Sequence, residues 1–206
     1  MNYFNLIIAF LAAYLLGSIP TSYLFGKLLL GIDIRQHGSG NVGATNALRV
    51  LGTKIGVITL LIDILKGVTA IIIGRYLIDD PTDLMLIGCG LSAILGHIFT
   101  IFLKFKGGKG VATSAGVFIA LTPIPVIITL IVFIITVYFS RYVSLGSILA
   151  AITLFVVELI INLKTSFSQL ELLIFIFIVA FFIILRHKAN IKRILAGNEN
   201  KISFKK

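Results

Sequence analysis

Long apolar runs separated by short polar islands dominate this chain. Most runs approach the roughly 20 residues that an α-helix needs to cross a lipid bilayer. The pattern predicts seven membrane-spanning helices, some of them short, at residues 3–25, 55–76, 83–103, 111–122, 124–140, 144–162 and 168–186. We therefore predict an all-α fold, a polytopic integral membrane helical bundle that forms a single membrane-embedded domain over residues 1–206.

Composition strengthens this prediction. Of the 206 residues, 58% are hydrophobic and only 13% are charged, and the mean hydropathy is +1.10. Soluble domains carry about 25% charged residues, so too few polar side chains remain here to cover a surface in water. The single cysteine, Cys89, excludes an intrachain disulfide.

The net charge of +10 is concentrated in the polar islands. The basic residues fall mainly in residues 33–54, 104–110 and 186–206, and at Arg141, whereas the turn at 79–83 is acidic. The positive-inside rule explains this placement, so no nucleic-acid partner is expected. The rule puts the basic islands and the C-terminus in the cytoplasm, and the acidic turn and the N-terminus outside.

Two prolines decide the number of crossings. Residues 111–140 would otherwise be one long span, and the basic islands on either side of it would then face opposite sides of the membrane. Pro123 and Pro125 break that helix, because proline lacks a backbone donor and clashes with the preceding turn. Two short helices in its place restore a common side for the islands.

The first island, Gly38–Arg49, is dense in small polar residues. Its glycines allow close approach of the backbone to a ligand, and its neutral side chains supply hydrogen bonds. On a helix, Thr45 and Arg49 would share one face, and the Arg49 guanidinium can bind a phosphate through two hydrogen bonds. The alternative is an ordinary polar loop with a helix cap.

The second island, Lys104–Gly110, places three lysines and three glycines within seven residues. Backbone amides and lysines together suit a phosphate group, and the island directly precedes a predicted helix, whose N-terminus also favours anions. It does not match the spacing of a nucleotide-binding P-loop. A plain basic cytoplasmic loop is the alternative.

The third island contains His187 and Asn190, three residues apart and able to share a helical face. Its alternative is a basic juxtamembrane helix bound to anionic lipid.

Ionisable residues inside the spans leave further alternatives open. Asp63 and Lys66 are a functional pair or a mutually neutralised structural pair. His97 binds a ligand or only packs. Glu158 and Glu171 are expected to reach water near the outer ends of their spans.

Taken in order, several stretches resemble one known family. They are Gly17–Pro20, Gly38–Arg49, Asp63–Gly67, Gly96–His97, Lys106–Gly110 and His187–Asn190 with Glu199. Together they resemble the bacterial acyl-phosphate:glycerol-3-phosphate acyltransferases, the PlsY family. Val42 and Asn198 stand where proline and threonine are more usual, a minor departure.

The resemblance implies transfer of a fatty acyl group from acyl phosphate to the 1-hydroxyl of sn-glycerol 3-phosphate. The products would be lysophosphatidate and inorganic phosphate, the first acylation of bacterial phospholipid synthesis. The expected partners are these two substrates and membrane lipid, with no cofactor, no metal and no obligate protein partner. The site would face the cytoplasm from the bacterial cell membrane.

The resemblance also implies a set of site residues. The catalytic residues are expected to be Ser39, Arg49, Lys109, His187 and Asn190. The substrate-binding residues are expected to be Gly38, Gly40, Asn41, Thr45, Asn46, Lys106, Gly107, Gly108, Gly110 and Ser144.

The proton acceptor stays open between His187 and a phosphate oxygen of the donor. The islands are rich in anion binders and poor in bases, which favours the donor phosphate.

Two other classes of protein compete with an enzyme. A transporter for a phosphorylated metabolite would suit the intramembrane pair Asp63 and Lys66, but the polar groups gather on one side and the chain shows no paired halves. A membrane scaffold with lipid-binding basic loops would leave the polar residues of the first island unexplained.

Overall fold

The computed structural model describes residues 3–202, which contain ten α-helices and no β-strand. The helices are α1 (Tyr3–Ser18), α2 (Thr21–Leu30), α3 (Ala44–Leu51), α4 (Thr53–Leu77), α5 (Asp83–Ile98), α6 (Val111–Leu121), α7 (Pro123–Ser140), α8 (Val143–Lys164), α9 (Leu170–Arg186) and α10 (Lys188–Leu195). Short 3₁₀ turns lie at Ile34–Gln36 and Ile101–Leu103. The predicted all-α class is confirmed.

Four stretches within the described residues are long and apolar enough to cross a membrane: α4, α5 with its 3₁₀ extension, α7 and α8. The pairs α1–α2 and α9–α10 are bent by 42° and 55°, and they raise the number to six if each pair is one span. Helix α6 is apolar but has only 11 residues. Many leucine and isoleucine side chains on these helices are exposed, as lipid-facing surfaces require.

The structure corrects the first predicted span, residues 3–25. Helix α1 ends at Ser18 and α2 begins at Thr21, because Pro20 cannot donate the hydrogen bond that a continuous helix needs. The predicted break near Pro123 is present, since α6 ends at Leu121 and Pro123 opens α7. Proline suits the first turn of a helix, where the missing N–H would have no intrahelical partner.

The described residues divide into two compact units, within Met1–Leu121 and Thr122–Lys206. In the first unit, small residues let helices touch through their backbones. A Cβ atom at Gly67 would collide with the Thr113 carbonyl, and one at Gly116 with the Ile64 carbonyl, so α4 and α6 pack at contact distance. Such close crossings are typical of helix association in membranes.

A buried polar cluster closes the break between α1 and α2. Lys66 donates to the backbone carbonyl of Ile19, to the Thr21 hydroxyl at 2.6 Å and to the Asp63 carboxylate at 2.7 Å. Thr21 in turn donates to Asp63 at 3.0 Å, and Thr100 donates to the Ser18 carbonyl. The carbonyls freed by the break are thus paired, which supports the structural interpretation of Asp63 and Lys66.

In the second unit, α7 and α8 cross closely at Gly146, and the rings of Phe155 and Phe177 join α8 to α9 with centroids 5.5 Å apart. The expectation that Glu158 reaches water is wrong. Glu158 is fully buried and accepts hydrogen bonds from Thr122 at 3.1 Å and Asn162 at 3.3 Å. It ties the start of α7 to the C-terminal half of α8. Glu171 is exposed, as expected.

Replacing Lys66 with methionine tests the buried cluster. Methionine fills a similar volume but leaves the buried Asp63 charge without its cationic partner, a loss that costs about 3–5 kcal/mol. We expect a clear fall in the midpoint of thermal unfolding in detergent. The double variant Asp63→Asn, Lys66→Met removes the unpaired charge and should recover part of that loss. A double variant less stable than Lys66→Met alone would contradict this role.

Candidate functional site

In the first unit, the first island forms a loop followed by α3. The Ser22 hydroxyl donates to the Val42 carbonyl at 2.6 Å and anchors the loop to α2. Thr45 and Arg49 are half-buried and lie one turn apart on α3, so the predicted shared face is present. Ser39 is exposed at the tip of the loop, and Asn41 is half-buried before α3 begins.

Asn46 organises this loop from α3. Its side-chain oxygen accepts a hydrogen bond from the Ser39 backbone N–H at 2.8 Å, and its amide nitrogen donates to the carbonyls of His37 at 3.1 Å and Ile34 at 3.3 Å. Gly38 and Gly40 have φ values of 62° and 71°, a left-handed conformation that glycine adopts without a steric cost. Because Asn46 is buried and engaged with the backbone, its first role is to fix the position of Ser39.

Asp33 begins the turn that leads into the loop. Its carboxylate accepts hydrogen bonds from the Arg35 guanidinium at 2.6 Å and from the Arg35 backbone N–H at 3.0 Å. Chiefly through the guanidinium bond, the pKa of Asp33 falls to about 2. Asp33 therefore remains charged as the partner of Arg35, which makes it a poor general base.

The second island turns back onto the end of α5. The Gly107 N–H donates to the Ile98 carbonyl at 2.9 Å, and the Gly108 N–H donates to the His97 carbonyl at 3.0 Å. A Cβ atom at Gly108 would collide with the His97 imidazole. These two amides hold the loop on α5, and close packing requires glycine at both positions. A substrate-binding role for Gly107 and Gly108 stays a prediction.

Further backbone amides lie at the start of α6, directly after Lys109. Within residues 3–202, the amides of Gly110, Val111 and Ala112 have no hydrogen-bond acceptor, because they precede the first donor that the helix itself satisfies. Lys106 is exposed and Lys109 is half-buried beside them. A helix N-terminus flanked by lysines is suited to bind an anion, and phosphate binding here stays a prediction.

A shared hydrophobic cluster brings the first two islands together. Leu103, directly before the second island, packs with Val42 and Ala47 of the first island and with Ile34, which precedes the first island. The two islands are far apart in the sequence, but this cluster packs the segments that hold them together within the first unit.

In the second unit, Glu199 is the centre of a second polar cluster. One of its carboxylate oxygens accepts hydrogen bonds from Asn190 at 2.6 Å and Ser144 at 2.9 Å, and the other accepts from Arg193 at 2.7 Å. Burial alone would raise the pKa of Glu199, but these three hydrogen bonds together outweigh it and hold the pKa below its usual value. Glu199 is an anion that positions Asn190 and Ser144.

His187 lies at the junction of α9 and α10 and is buried. Its Nδ1 is 2.7 Å from the Ile183 carbonyl oxygen. A carbonyl only accepts, so Nδ1 carries the proton, and in the neutral ring Nε2 is the nitrogen that can accept one. This tautomer is compatible with a base, although it does not distinguish His187 from the donor phosphate.

The predicted site residues fall on both units. The first unit carries Ser39, Arg49 and Lys109 with the predicted binding residues of the first two islands, and the second carries Ser144, His187 and Asn190. Their substrate roles stay predictions. Glu199 is not among the predicted site residues, although it belongs to the stretches that carry the family resemblance.

A metal site would require several ligating side chains close together. No group of three or more His, Cys, Asp or Glu side chains among residues 3–202 could hold a metal ion. The expectation that neither metal nor cofactor is required stays a prediction.

Comparisons with known proteins agree with this organisation. A profile of the glycerol-3-phosphate acyltransferase family matches residues 7–197. Glycerol-3-phosphate acyltransferase 2 of Bacillus anthracis is 49% identical, over 95% of this chain and 98% of its own. The glycerol-3-phosphate acyltransferase of Chlorobium chlorochromatii (strain CaD3) is 44% identical, over 98% of this chain and 99% of its own.

Two crystal structures of PlsY (YgiH), an integral membrane glycerol 3-phosphate acyltransferase, share the fold at 38% sequence identity. The glycerol 3-phosphate form has a TM-score of 0.85 and covers 96% of both chains. The lysophosphatidic acid form has a TM-score of 0.81 and covers 96% of this chain and 95% of the other.

The multi-pass helical fold and these relatives define the class of the molecule as a membrane acyltransferase. The chain belongs to the glycerol-3-phosphate acyltransferase family. The resemblance inferred from the ordered motifs and the predicted enzyme class are both confirmed.

Replacing Glu199 with glutamine tests the second polar cluster. Because folding lowers the pKa of Glu199, its contribution to stability is present above the ordinary glutamate pKa and is lost as the pH falls through the lowered value. At neutral pH we expect Glu199→Gln to cost about 1–3 kcal/mol, since hydrogen bonds to a charged group are weakened.

Thermal unfolding measured from neutral to acid pH checks this prediction. The difference between wild type and Glu199→Gln should shrink as the pH drops below the ordinary range for glutamate. Glu171→Gln, at an exposed glutamate of α9, is the matched control and should leave stability unchanged. A difference that is constant across the pH range would refute the ionised role of Glu199.

Proposed function

We propose that, in acylating the 1-hydroxyl of glycerol 3-phosphate, the chain uses a fatty acyl phosphate as its donor. The products are then lysophosphatidate and inorganic phosphate. Support comes from the ordered motifs of the sequence and from the family, whose solved relative is described in glycerol 3-phosphate and lysophosphatidic acid forms. Both proposed substrates carry phosphate, which the loops of this chain are suited to bind.

The observation that carries the proposal is the set of anion-binding groups in the first unit. The amides of Gly110, Val111 and Ala112 open α6 and lack acceptors among the described residues, with Lys109 directly before them. A helix N-terminus and a lysine together stabilise a phosphate group. Asn46 holds the first loop, and the Gly107 and Gly108 amides hold the second. Both loops are therefore already ordered before substrate binds.

The reaction requires alignment, charge neutralisation and removal of one proton. An acyl phosphate is a mixed anhydride with phosphate as its leaving group, so the attacking hydroxyl needs positioning more than strong activation. We assign Lys109 and Arg49 to neutralise phosphate charge, and Ser39 to hydrogen-bond a substrate oxygen. Asn190 and Ser144, fixed by Glu199, are assigned to the acyl-phosphate head group.

The proton acceptor is the donor phosphate in this proposal. Among the described residues, the basic islands hold no pair of carboxylates, and Asp33 and Glu199 are both held as anions by basic partners. His187, with Nδ1 protonated, is the competing base. Loss of turnover in His187→Ala with binding of both substrates intact would assign the proton to His187 instead.

We further propose seven crossings in the bacterial cell membrane, with the N-terminus outside and both polar clusters facing the cytoplasm. Each bent pair contributes one crossing, the second pair through α9, and the short helix α6 supplies the seventh. The basic islands support this orientation through the positive-inside rule. The acyl tail of the donor would lie among the spans while its phosphate remains at the cytoplasmic boundary.

Activity of purified protein with defined substrates tests the donor and the role of Lys109. Acyl phosphate and glycerol 3-phosphate should give lysophosphatidate with equimolar phosphate release. Lys109→Ala should lower kcat/KM by about 100-fold or more, the effect expected when a charged hydrogen bond to phosphate is lost. Lys104→Ala, at an exposed lysine of the same island, is the control and should change it only slightly.

Three results would reject parts of this proposal. No product would remove the reaction, and product formed equally well from acyl-CoA would remove the acyl-phosphate donor. Near-normal activity of Lys109→Ala would remove the phosphate-neutralising role of that side chain.

Labelling of introduced cysteines tests the orientation. Gln36→Cys and Lys192→Cys should react from the cytoplasmic side, and Asp79→Cys and Lys164→Cys from outside, since all four positions are exposed. The unmodified chain is the background control, because Cys89 is buried. Reaction of Gln36→Cys and Lys192→Cys from opposite sides would exclude the proposed topology.

A further inference from the structure

Helix α10 presents a stripe of exposed side chains that the proposed reaction does not use. Lys188, Lys192 and Leu195 are spaced i, i+4 and i+7, so they lie on one face of the helix. All three are exposed, and Leu195 is 83% exposed. The opposite face carries Asn190, which is buried and bonded to Glu199. The buried face of α10, which is bonded to Glu199, and its exposed face are therefore different.

The position of α10 places this stripe at a membrane boundary. Helix α9 is apolar between Glu171 in its first turn and Arg186 in its last, and α10 follows it at a bend of 55°. Helix α10 is too short and too polar to continue a span. A helix that leaves a span and exposes cations together with a large apolar side chain has the composition of an interfacial helix. Lysine stems can lie along the apolar boundary while their ammonium groups reach the head groups.

The same end of this unit carries a strong excess of positive charge. The Ile202 N–H donates to the Arg141 carbonyl at 2.9 Å, and the Lys201 ammonium lies 5.6 Å from the centroid of the Tyr142 ring, so the C-terminal segment joins the α7–α8 turn. The basic residues among the described part of this end are Arg141, Arg186, Lys188, Lys192, Arg193 and Lys201. The acidic residue there is Glu199, which is buried and paired with Arg193.

We infer that the exposed stripe of α10 binds the anionic phospholipid head groups of the leaflet on which it lies. Charge complementarity selects an anionic partner, and neither Lys188 nor Lys192 is in an ion pair within residues 3–202. The exposed Leu195 selects an amphiphile over a soluble anion, because its side chain would enter the acyl boundary beside the head groups. This inference rests on the membrane location of the chain and is independent of the proposed donor.

Lipid-dependent thermal stability of the purified full chain tests the inference. A ligand that binds the folded state raises the unfolding midpoint according to its concentration and affinity. Phosphatidylglycerol added to the detergent micelles should raise the midpoint at lower concentration than phosphatidylcholine does, and salt should weaken that preference. The double variant Lys188→Gln, Lys192→Gln should lose about 30-fold in apparent affinity for phosphatidylglycerol, and its response to phosphatidylcholine should be unchanged.

Two further variants separate this site from general surface effects. Lys164→Gln, at an exposed lysine at the other end of α8, should keep the wild-type lipid preference. Leu195→Ser should weaken phosphatidylglycerol binding while preserving its salt dependence, and folding should be unaffected because Leu195 is exposed.

Three outcomes would overturn the inference. The double variant could respond to phosphatidylglycerol as the wild type does, or Lys164→Gln could lose as much affinity as the double variant. Inorganic phosphate could also displace the lipid effect at equal ionic strength, which would indicate a site for a soluble anion. These lipid-binding experiments do not depend on activity with acyl phosphate. A result that overturns the lipid site is therefore distinguishable from a failure of the proposed reaction.

Discussion

The arrangement of the first unit depends on a buried ion pair at a broken helix. Pro20 ends the first helix inside an apolar environment, where unpaired backbone carbonyls are costly. Lys66 donates to the Ile19 carbonyl and to Thr21, while Asp63 neutralises its charge. The pair therefore fixes where α2 leaves α1. Helix α2 carries Ser22, which bonds to the first polar loop, so the position of that loop depends on this ion pair.

Both polar loops of the first unit are held mainly by hydrogen bonds within the chain. Asn46 binds three backbone groups of its own loop, and the Gly107 and Gly108 amides bind the end of α5. Groups that resemble ligand contacts in the sequence are therefore partly structural. The groups that we propose for substrate binding are therefore fewer: the N-terminus of α6, Lys109 and the face of α3. A preorganised loop loses less conformational entropy on binding than a flexible one.

In the second unit, polar side chains are also held by hydrogen bonds within the chain, but around a buried carboxylate. Glu199 gathers Ser144, Asn190 and Arg193, and it remains ionised because its hydrogen bonds outweigh the effect of burial. Glu158 lies at the opposite end of α8 and is bonded to hydroxyl and amide groups instead of a cation. Two buried glutamates of one unit thus have different environments, a difference that their positions in the sequence did not indicate.

The sequence by itself determined the helical class, most of the spans, the Pro123 break and the family, because apolar length, proline and motif order are local properties. It did not predict the break at Pro20, since an apolar segment with one proline is compatible with either a kink or a termination. It also did not predict the burial of Glu158 or the hydrogen bonds by which Glu199 holds Ser144 and Asn190. Nor did it predict that the Gly107 and Gly108 amides bond to the end of α5. Only tertiary structure decides these, because a hydrogen bond between distant residues depends on which partners the packed helices bring within reach.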